Sequence, residues 1–229
     1  MRTIAFLALL LAAPLAHAQF GSDGSVTYGA IGASFTDNDE LSGRLSGAGY
    51  GDLEPSSVGV GTGRYQFRGR LVGGVEAHTT GAESAEIGGV ETKLSGRYAL
   101  LNVGLDLVGS PTMKAYPLVG VGYGDLTLRL APLADADFDE VLLAPGRGAS
   151  LTKRGFLLNA GVGSDVILPI QTSETGARGL ALGLRAGYLF AAGGNDWELF
   201  ATSDASGAPE ASLSGPYVKL LVGFGQVGR

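Results

Sequence analysis

The sequence predicts an all-β protein, an antiparallel up-and-down β-barrel of eight strands with one short helix in its first long loop. Three observations predict it: polar and apolar residues alternate along many segments, long and short connections alternate, and glycine is spread through the chain. Glycine contributes 39 of 229 residues. Hydrophobic residues make up 45% and charged residues 17%, which excludes intrinsic disorder.

The first 18 residues have the layout of a secretory signal peptide. Arg2 supplies a positive charge, residues 4–13 form an apolar run, and Ala16-His17-Ala18 is typical of a cleavage site. The apolar run is too short to span a membrane as a helix, which takes about 20 residues. We therefore expect a leader at 1–18 and one domain at 19–229.

Cysteine is absent from the chain, which excludes a disulfide framework and any cysteine-ligated metal site. An exported protein without cysteine fits a bacterial envelope. The net charge is −6 and the bases are scattered, which argues against nucleic-acid binding.

Strands are predicted from alternation with a period of two residues. In 179–191, alternate positions from Leu180 to Phe190 are apolar while Arg185 lies on the opposite face, and in 214–226 the same holds around Lys219. The predicted strands are about 25–35, 57–67, 69–79, 88–108, 113–130, 152–169, 178–192 and 214–226.

The fourth predicted strand changes parity. Its apolar positions are even-numbered up to Tyr98 and odd-numbered from Leu101 onward. A β-bulge near Ala99-Leu100 would explain the change, and so would a turn, which would raise the strand count.

The helix is predicted between the first two strands. Asp37 and Glu40 have the spacing of a capping box, and Leu41 and Leu45 share a face. Gly47 and Gly49 would end the helix.

Connection lengths favour a membrane barrel. The long connections are 36–56, 80–87, 131–151 and 193–213. The shorter ones are a turn at Arg68, a turn around Ser110-Pro111, and 170–177. Outer-membrane barrels have short periplasmic turns and longer extracellular loops.

Charge separates in the same way. The four long loops hold 15 acidic and two basic residues, a net charge of −13, and the rest of the chain without Arg2 carries +6. An acidic mouth is therefore expected at the long-loop end, with loose attraction for divalent cations.

A barrel of eight strands has an interior just wide enough for side chains or one small ligand. Glycines of one parity, such as Gly59, Gly61 and Gly63, would let larger side chains lie against the wall. Both signs of charge occupy polar positions, so we expect paired charges inside a plugged barrel. The candidates are Arg70, Glu76, Glu91, Lys93, Arg97, Asn102, Asp106, Asp165, Arg185 and Lys219.

Glycine and aromatic residues recur through the C-terminal half, in 155–163, 182–190 and 215–225. These segments resemble small bacterial outer-membrane β-barrel proteins of the OmpA-like and OmpW-like sort, in their single-domain, uncharacterised members. The resemblance implies insertion in the outer membrane, contact with its lipid, and no catalytic residue. One departure is that the last aromatic residue, Phe224, is followed by Gly225 to Arg229.

Few residues suggest chemistry. His78 would be needed by a lipid-modifying barrel enzyme, but no serine motif adjoins it, and its place near a strand end suits a structural histidine at the rim. The segment 135–140 alternates carboxylates as calcium loops do, without the required glycine and bidentate glutamate. We therefore predict no catalytic residue, cofactor or metal site.

Three aromatic residues lie in the acidic loops: Tyr50, Trp197 and Phe200. They either pack the loops onto the barrel rim or contact an extracellular partner.

The main hypothesis is a non-enzymatic, monomeric outer-membrane barrel, either structural or a narrow conduit or ligand-binding barrel. The alternatives are a secreted soluble barrel that binds a small apolar ligand and a lipid-modifying enzyme. The outer-membrane barrel requires an apolar outer face, and the secreted soluble barrel requires a polar one.

Overall fold

The structure is a computed structural model, and it describes residues 23–81, 85–87, 89–132, 148–193, 197–200, 203–205 and 207–228. The predicted leader lies outside these residues. So does the carboxylate-rich segment 135–140.

Eleven strands and one helix occupy the described residues. In chain order they are β1 (Gly24–Phe35), α1 (Asp39–Gly47), β2 (Ser56–Arg68), β3 (Leu71–Gly81), β4 (Ala85–Ile87), β5 (Val90–Leu105), β6 (Met113–Pro132), β7 (Ala149–Ser173), β8 (Gly176–Ala192), β9 (Trp197–Leu199), β10 (Ser203–Ala205) and β11 (Gly215–Gly228).

Eight of the strands close into an antiparallel ring. Going round it, β1 pairs with β2, then come β3, β5, β6, β7, β8 and β11, and β11 pairs back with β1. The predicted fold class and strand number are thus confirmed. The short strands β4, β9 and β10 extend this sheet at one end.

The ring closes with a stagger. Followed once around the barrel, the pairing register starts at Leu180 of β8 and returns to β8 at Phe190, ten residues further along. Such a shear tilts the strands against the barrel axis, by about 35–45° in barrels generally.

The two ends of the barrel differ as predicted. At the short-turn end, β2 joins β3 through Gly69 and Arg70, and β5 joins β6 through 106–112. The predicted loop 170–177 is instead a turn of Glu174 and Thr175, because β7 and β8 continue pairing down to Ser173 and Gly176 past a register shift between Pro169 and Gln171. The remaining connections lie at the long-loop end.

Both explanations offered for the parity change near Ala99-Leu100, the bulge and the turn, are wrong. β5 pairs in continuous register with both β3 and β6 through that point, and its even-numbered residues face inward throughout. Polarity changes sides along the strand. Towards the long-loop end Leu94 is buried and Lys93 is exposed, whereas further down Asn102 is buried and Val103 is exposed.

The predicted helix is present, but its start differs. It begins at Asp39 with Asn38 as N-cap, whose side-chain amide donates to the carbonyl of Glu54, so the capping box at Asp37 is wrong. Leu41 and Leu45 are buried beneath the helix, and it ends at Gly47 as predicted. No helix in the described segments is long and apolar enough to cross a membrane.

Two apolar clusters fill the barrel from opposite ends. The lower core, at the short-turn end, consists of Val26, Tyr28, Tyr65, Phe67, Val72, Tyr116, Leu118, Ile167, Ala181, Leu221 and Val227. The upper core, at the long-loop end, consists of Leu41, Leu45, Leu53, Leu94, Tyr98, Leu100, Leu126, Leu128, Leu157, Leu189, Trp197, Ala211, Leu213 and Tyr217.

Candidate functional site

A cluster of charged side chains lies inside the barrel between the two cores. Glu76 of β3 accepts hydrogen bonds from Nζ of Lys219 on β11 at 3.2 Å and from the hydroxyl of Tyr28 on β1 at 3.0 Å. Nε2 of His78 lies 3.1 Å from Nζ of Lys219 and 3.3 Å from Glu76 Oε2. Side chains from β1, β3 and β11 therefore meet at one carboxylate.

His78 is buried in this cluster, so its interpretation as a rim residue is wrong. Its ring stacks on Tyr98 with centroids 5.1 Å apart, and its exposed fraction is 8%. The strand continues beyond it to Gly81, which places His78 below the rim.

Amide side chains extend the cluster across the barrel. Asn102 donates to the Tyr65 hydroxyl at 2.8 Å and to Glu76 at 3.3 Å, and it accepts from Asn159 at 2.7 Å. Asn159 in turn accepts from the Tyr217 hydroxyl at 2.9 Å. These bonds join four barrel strands besides β3 and satisfy polar groups that water does not reach.

A second charged group surrounds Arg185. Its guanidinium contacts Asp165 at 3.3 Å and donates to the hydroxyl of Tyr116, which donates to the same carboxylate. The guanidinium carbon also lies 4.1 Å from the ring centroid of Tyr65 and 4.9 Å from that of Tyr28. Aromatic faces therefore stabilise the buried cation together with the carboxylate.

The sequence reasoning missed these tyrosines. The available signal was parity, since Tyr28, Tyr65 and Tyr116 each alternate with outward-facing residues in their strands.

A third pair closes the short-turn end. Nζ of Lys114 lies 3.0 Å from Oδ2 of Asp106, and both side chains are buried. Burial alone would raise the pKa of Asp106, but the hydrogen bonds from Lys114 and from the backbone N–H groups of Gly109 and Val108 lower it below the ordinary value.

Glycines make room for these side chains, as predicted. A Cβ at Gly61 would overlap the His78 imidazole, and one at Gly63 would meet the hydroxyl of Tyr28. At Gly74 and Gly163 the obstacles are the rings of Tyr65 and Tyr116. The interior is thus filled by large side chains that lie against glycine residues of the barrel wall.

The predicted set of interior charges is partly wrong. Glu76, Asn102, Asp165, Arg185 and Lys219 lie inside, and Asp106 is buried in a turn. Arg70 is exposed in a turn, and three residues of β5 face outward, namely Glu91, Lys93 and Arg97. The prediction placed all polar positions in the interior. The part of β5 that holds these three residues lies above the apolar band, and there the outer face is polar.

The outer wall carries an apolar band. In β8 its outward positions run from Leu180 to Phe190, and in β11 from Pro216 to Phe224. At a rise of ~3.3 Å and a tilt of ~40°, ten residue steps give a height of about 25 Å. Exposed members on other strands include Ile31, Val60, Leu101, Val103, Val119, Val121, Val162 and Val166.

Aromatic residues gather at the upper edge of this band. Phe35 ends β1, and Tyr123 pairs with Phe156 with ring centroids 5.5 Å apart. Tyr188 and Phe190 lie near the end of β8, and all five are at least 39% exposed. Aromatic girdles of this kind border the apolar band of membrane barrels.

A cap covers the upper core. Trp197 is 1% exposed and its indole N–H donates to the carbonyl of Pro209 at 3.0 Å, and the half-buried Tyr50 packs against the same core. These two aromatic residues therefore pack the loops onto the rim. Phe200, by contrast, is 56% exposed.

The acidic-mouth prediction concerns loops that are only partly described. In the first long loop the carboxylates of Asp37, Asp39, Glu40, Asp52 and Glu54 are exposed. Within the described residues, no group of three histidines or acids could hold a metal ion.

The fold and interior define a class of protein: a small β-barrel closed by hydrogen bonding and filled by its own side chains, with an apolar outer band. No protein-family model matches the sequence, and no curated protein sequence matches it.

Solved structures similar to this one are bacterial outer-membrane barrels. The attachment invasion locus protein Ail of Yersinia pestis has a TM-score of 0.45 and 10% identity, covering 91% of this chain and 99% of its own. A major outer membrane protein of Thermus thermophilus has a TM-score of 0.47 and 12% identity over 91% and 100%. OprG of Pseudomonas aeruginosa has a TM-score of 0.42 and 16% identity over 90% and 95%.

Proposed function

We propose that the protein is a non-enzymatic, monomeric outer-membrane barrel that anchors a small folded cap at the cell surface. The observation that carries this is the filled interior. Two apolar cores enclose the polar cluster of Glu76, Lys219 and Arg185, and each of these side chains has an ion-pair partner inside the barrel. Such an interior suits a structural role better than transport.

Insertion in a membrane is supported by the outer wall. Val58 and Phe224, exposed at 66% and 73%, face outward, as do Leu184 and Leu220. The outward residues would be in water if the barrel were secreted and soluble, and patches of this size are rare on soluble monomers. Leu213 and Trp197 occupy apolar positions in the upper core. A secreted barrel of this kind would have little space inside for an apolar ligand.

The orientation follows from loop length. Short turns at Gly69-Arg70 and Glu174-Thr175 suit the periplasmic side, and α1 with its neighbouring loops suits the extracellular side. Export would depend on the leader at 1–18, and N-terminal sequencing of the mature protein would test cleavage after Ala18. The acidic loops would attract divalent cations only loosely.

Catalysis has little support. His78, the residue a lipid-modifying enzyme would need, contacts Glu76, Lys219 and Tyr98 beneath the upper core. An envelope lipid would have to displace that core to reach it.

The experiment that tests the proposal is cell fractionation followed by gel mobility with and without heating, then planar-bilayer conductance. We expect recovery in the outer-membrane fraction, heat-modifiable mobility and no stable conductance. Recovery in the soluble fraction would contradict membrane insertion. Stable single-channel conductance would favour the conduit. Hydrolysis or transfer of envelope lipid that is lost in His78→Ala would overturn the non-enzymatic assignment.

A further inference from the structure

A cavity of about 860 Å³ lies at the short-turn end of the barrel. Most side chains that line it stand at outward-facing positions, so the cavity belongs to the outer wall. They include Ser25, Arg64, Gln66, Arg68, Arg178 and Gln226.

The pairing register places four of these residues in one row. Arg178 of β8 pairs with Gln226 of β11, Gln226 pairs with Ser25 of β1, and Ser25 pairs with Gln66 of β2. Arg64 and Arg68 lie two residues to either side of Gln66 on β2. The row therefore ends in a guanidinium group on β8 and in an amide group on β2, and the β2 end is flanked along the strand by two further guanidinium groups.

The charge of this cavity is unbalanced. Arg64 and Arg178 line it, and Asp23 is the one carboxylate among its described lining residues. Arg64 and Arg178 are exposed, and neither forms an ion pair within the described segments. An anionic ligand would complete the cavity electrostatically.

Apolar residues continue to this end of the outer wall on the strands that complete the ring. β5 and β6 expose Leu105 and Met113 at 44% and 49%, and β7, next to β8, exposes Leu168 and Ile170 at 46% and 71%. The polar row is therefore not simply the lower edge of the apolar band, because on other strands the band extends further towards the short-turn end. Phe224, 73% exposed, stands two residues above Gln226 on the same face.

We propose that this cavity binds the headgroup of an anionic phospholipid of the inner leaflet. Arg64 and Arg178 would each bind the phosphate through their paired N–H groups, and Gln66 and Gln226 would donate to glycerol oxygens. The acyl chains would then lie along the apolar wall beside Phe224. The proposal rests on the proposed insertion, with short turns on the periplasmic side.

The test uses the mature protein in nanodiscs of phosphatidylcholine containing a minor share of phosphatidylglycerol, with retained lipids counted by native mass spectrometry. We expect one retained phosphatidylglycerol per barrel, enriched about tenfold over its share of the bilayer. The variant Arg64→Gln/Arg178→Gln should lose this enrichment. The matched control Arg97→Gln/Arg129→Gln removes the same charge from the long-loop end and should keep it.

A charge-conserving variant separates geometry from charge. Arg64→Lys/Arg178→Lys should show reduced but measurable enrichment, since lysine lacks the planar fork. Heat-modifiable mobility confirms insertion of every variant before lipids are counted. Three outcomes with an inserted barrel would overturn the lipid site alone. They are no enrichment in the wild type, enrichment that persists in Arg64→Gln/Arg178→Gln, and retention of a second copy of the barrel in place of the lipid. Failure of the wild type to insert overturns the proposed function as well.

Discussion

Nζ of Lys219 lies 3.2 Å from Oε1 of Glu76 in the middle of the barrel, with side chains 4% and 1% exposed. Removing one partner of such a pair leaves the other charge buried without its counterion, which costs about 3–5 kcal/mol. We therefore expect Lys219→Met to lower the free energy of unfolding by that amount. Urea unfolding in lipid vesicles, followed by gel mobility, measures it.

Two controls accompany Lys219→Met. Arg154→Met breaks the exposed pair with Glu198, at 3.0 Å, and should change stability by ~0–1 kcal/mol. Glu76→Gln/Lys219→Met removes both charges and should recover much of the loss. If the double variant were as unstable as Lys219→Met, the buried charge would not be the cause.

Gly61 and His78 give a prediction about space. Because a Cβ at Gly61 would overlap the imidazole of His78, Gly61→Ala should destabilise the barrel by about 1–3 kcal/mol. Gly73→Ala is the matched control, since a Cβ there meets nothing within 4 Å. Gly61→Ala should therefore lower the free energy of unfolding less in the His78→Ala background than in the wild type. Equal unfolding midpoints for the two glycine variants would refute the steric account.

The strands and the apolar outer face could be predicted from sequence because a period of two residues is a local property. Leu184 outward and Arg185 inward follow from alternation alone. The direction of the polar face could not be predicted in β5, since it depends on where the strand crosses the edge of the apolar band. Lys93 lies above that edge and Val103 below it, and only the barrel's stagger fixes their heights.

The interior contacts depend on closure of the ring. Arg185 touches Tyr65 across the barrel, although these residues are far apart in sequence and their strands are not neighbours. Composition indicated paired interior charges, and parity placed Glu76 and Lys219 inside. Which charged residues pair is determined by the height along the barrel axis at which each of the eight strands places its side chains.

The outer face is tested by a charge at mid-height. Leu184 faces outward, 46% exposed, near the middle of the band, so Leu184→Arg should cost roughly 2–4 kcal/mol of membrane-folded stability. Ser95→Arg adds the same charge to the outward face of β5 above the band and should be nearly neutral. Refolding yield into vesicles compares them. Equal yields for both variants would argue against lipid contact at Leu184.

The Asp106–Lys114 pair predicts a pH dependence. Since hydrogen bonding lowers the folded-state pKa of Asp106, its stabilisation is fully present above the ordinary aspartate pKa of about 3.9 and is lost as pH falls through the lower folded value. We expect the unfolding free energy of the wild type to fall more steeply below about pH 4 than that of Asp106→Asn. Parallel curves would show that Asp106 does not contribute.

The cap is tested through its single tryptophan. Trp197 belongs to a loop segment by sequence, yet it is 1% exposed beneath the cap, so its emission should be blue-shifted and poorly quenched by acrylamide in the folded protein. Trp197→Phe/Phe200→Trp moves the probe to a position 56% exposed and should restore water-like emission and strong quenching. Leu213→Ala, which removes an upper-core side chain beside the cap, should increase quenching of Trp197 in an otherwise inserted barrel, because the cap then loses part of its support. Strong quenching of Trp197 in the wild type would mean that the loops stand open, and the upper core would then be accessible to a ligand from outside.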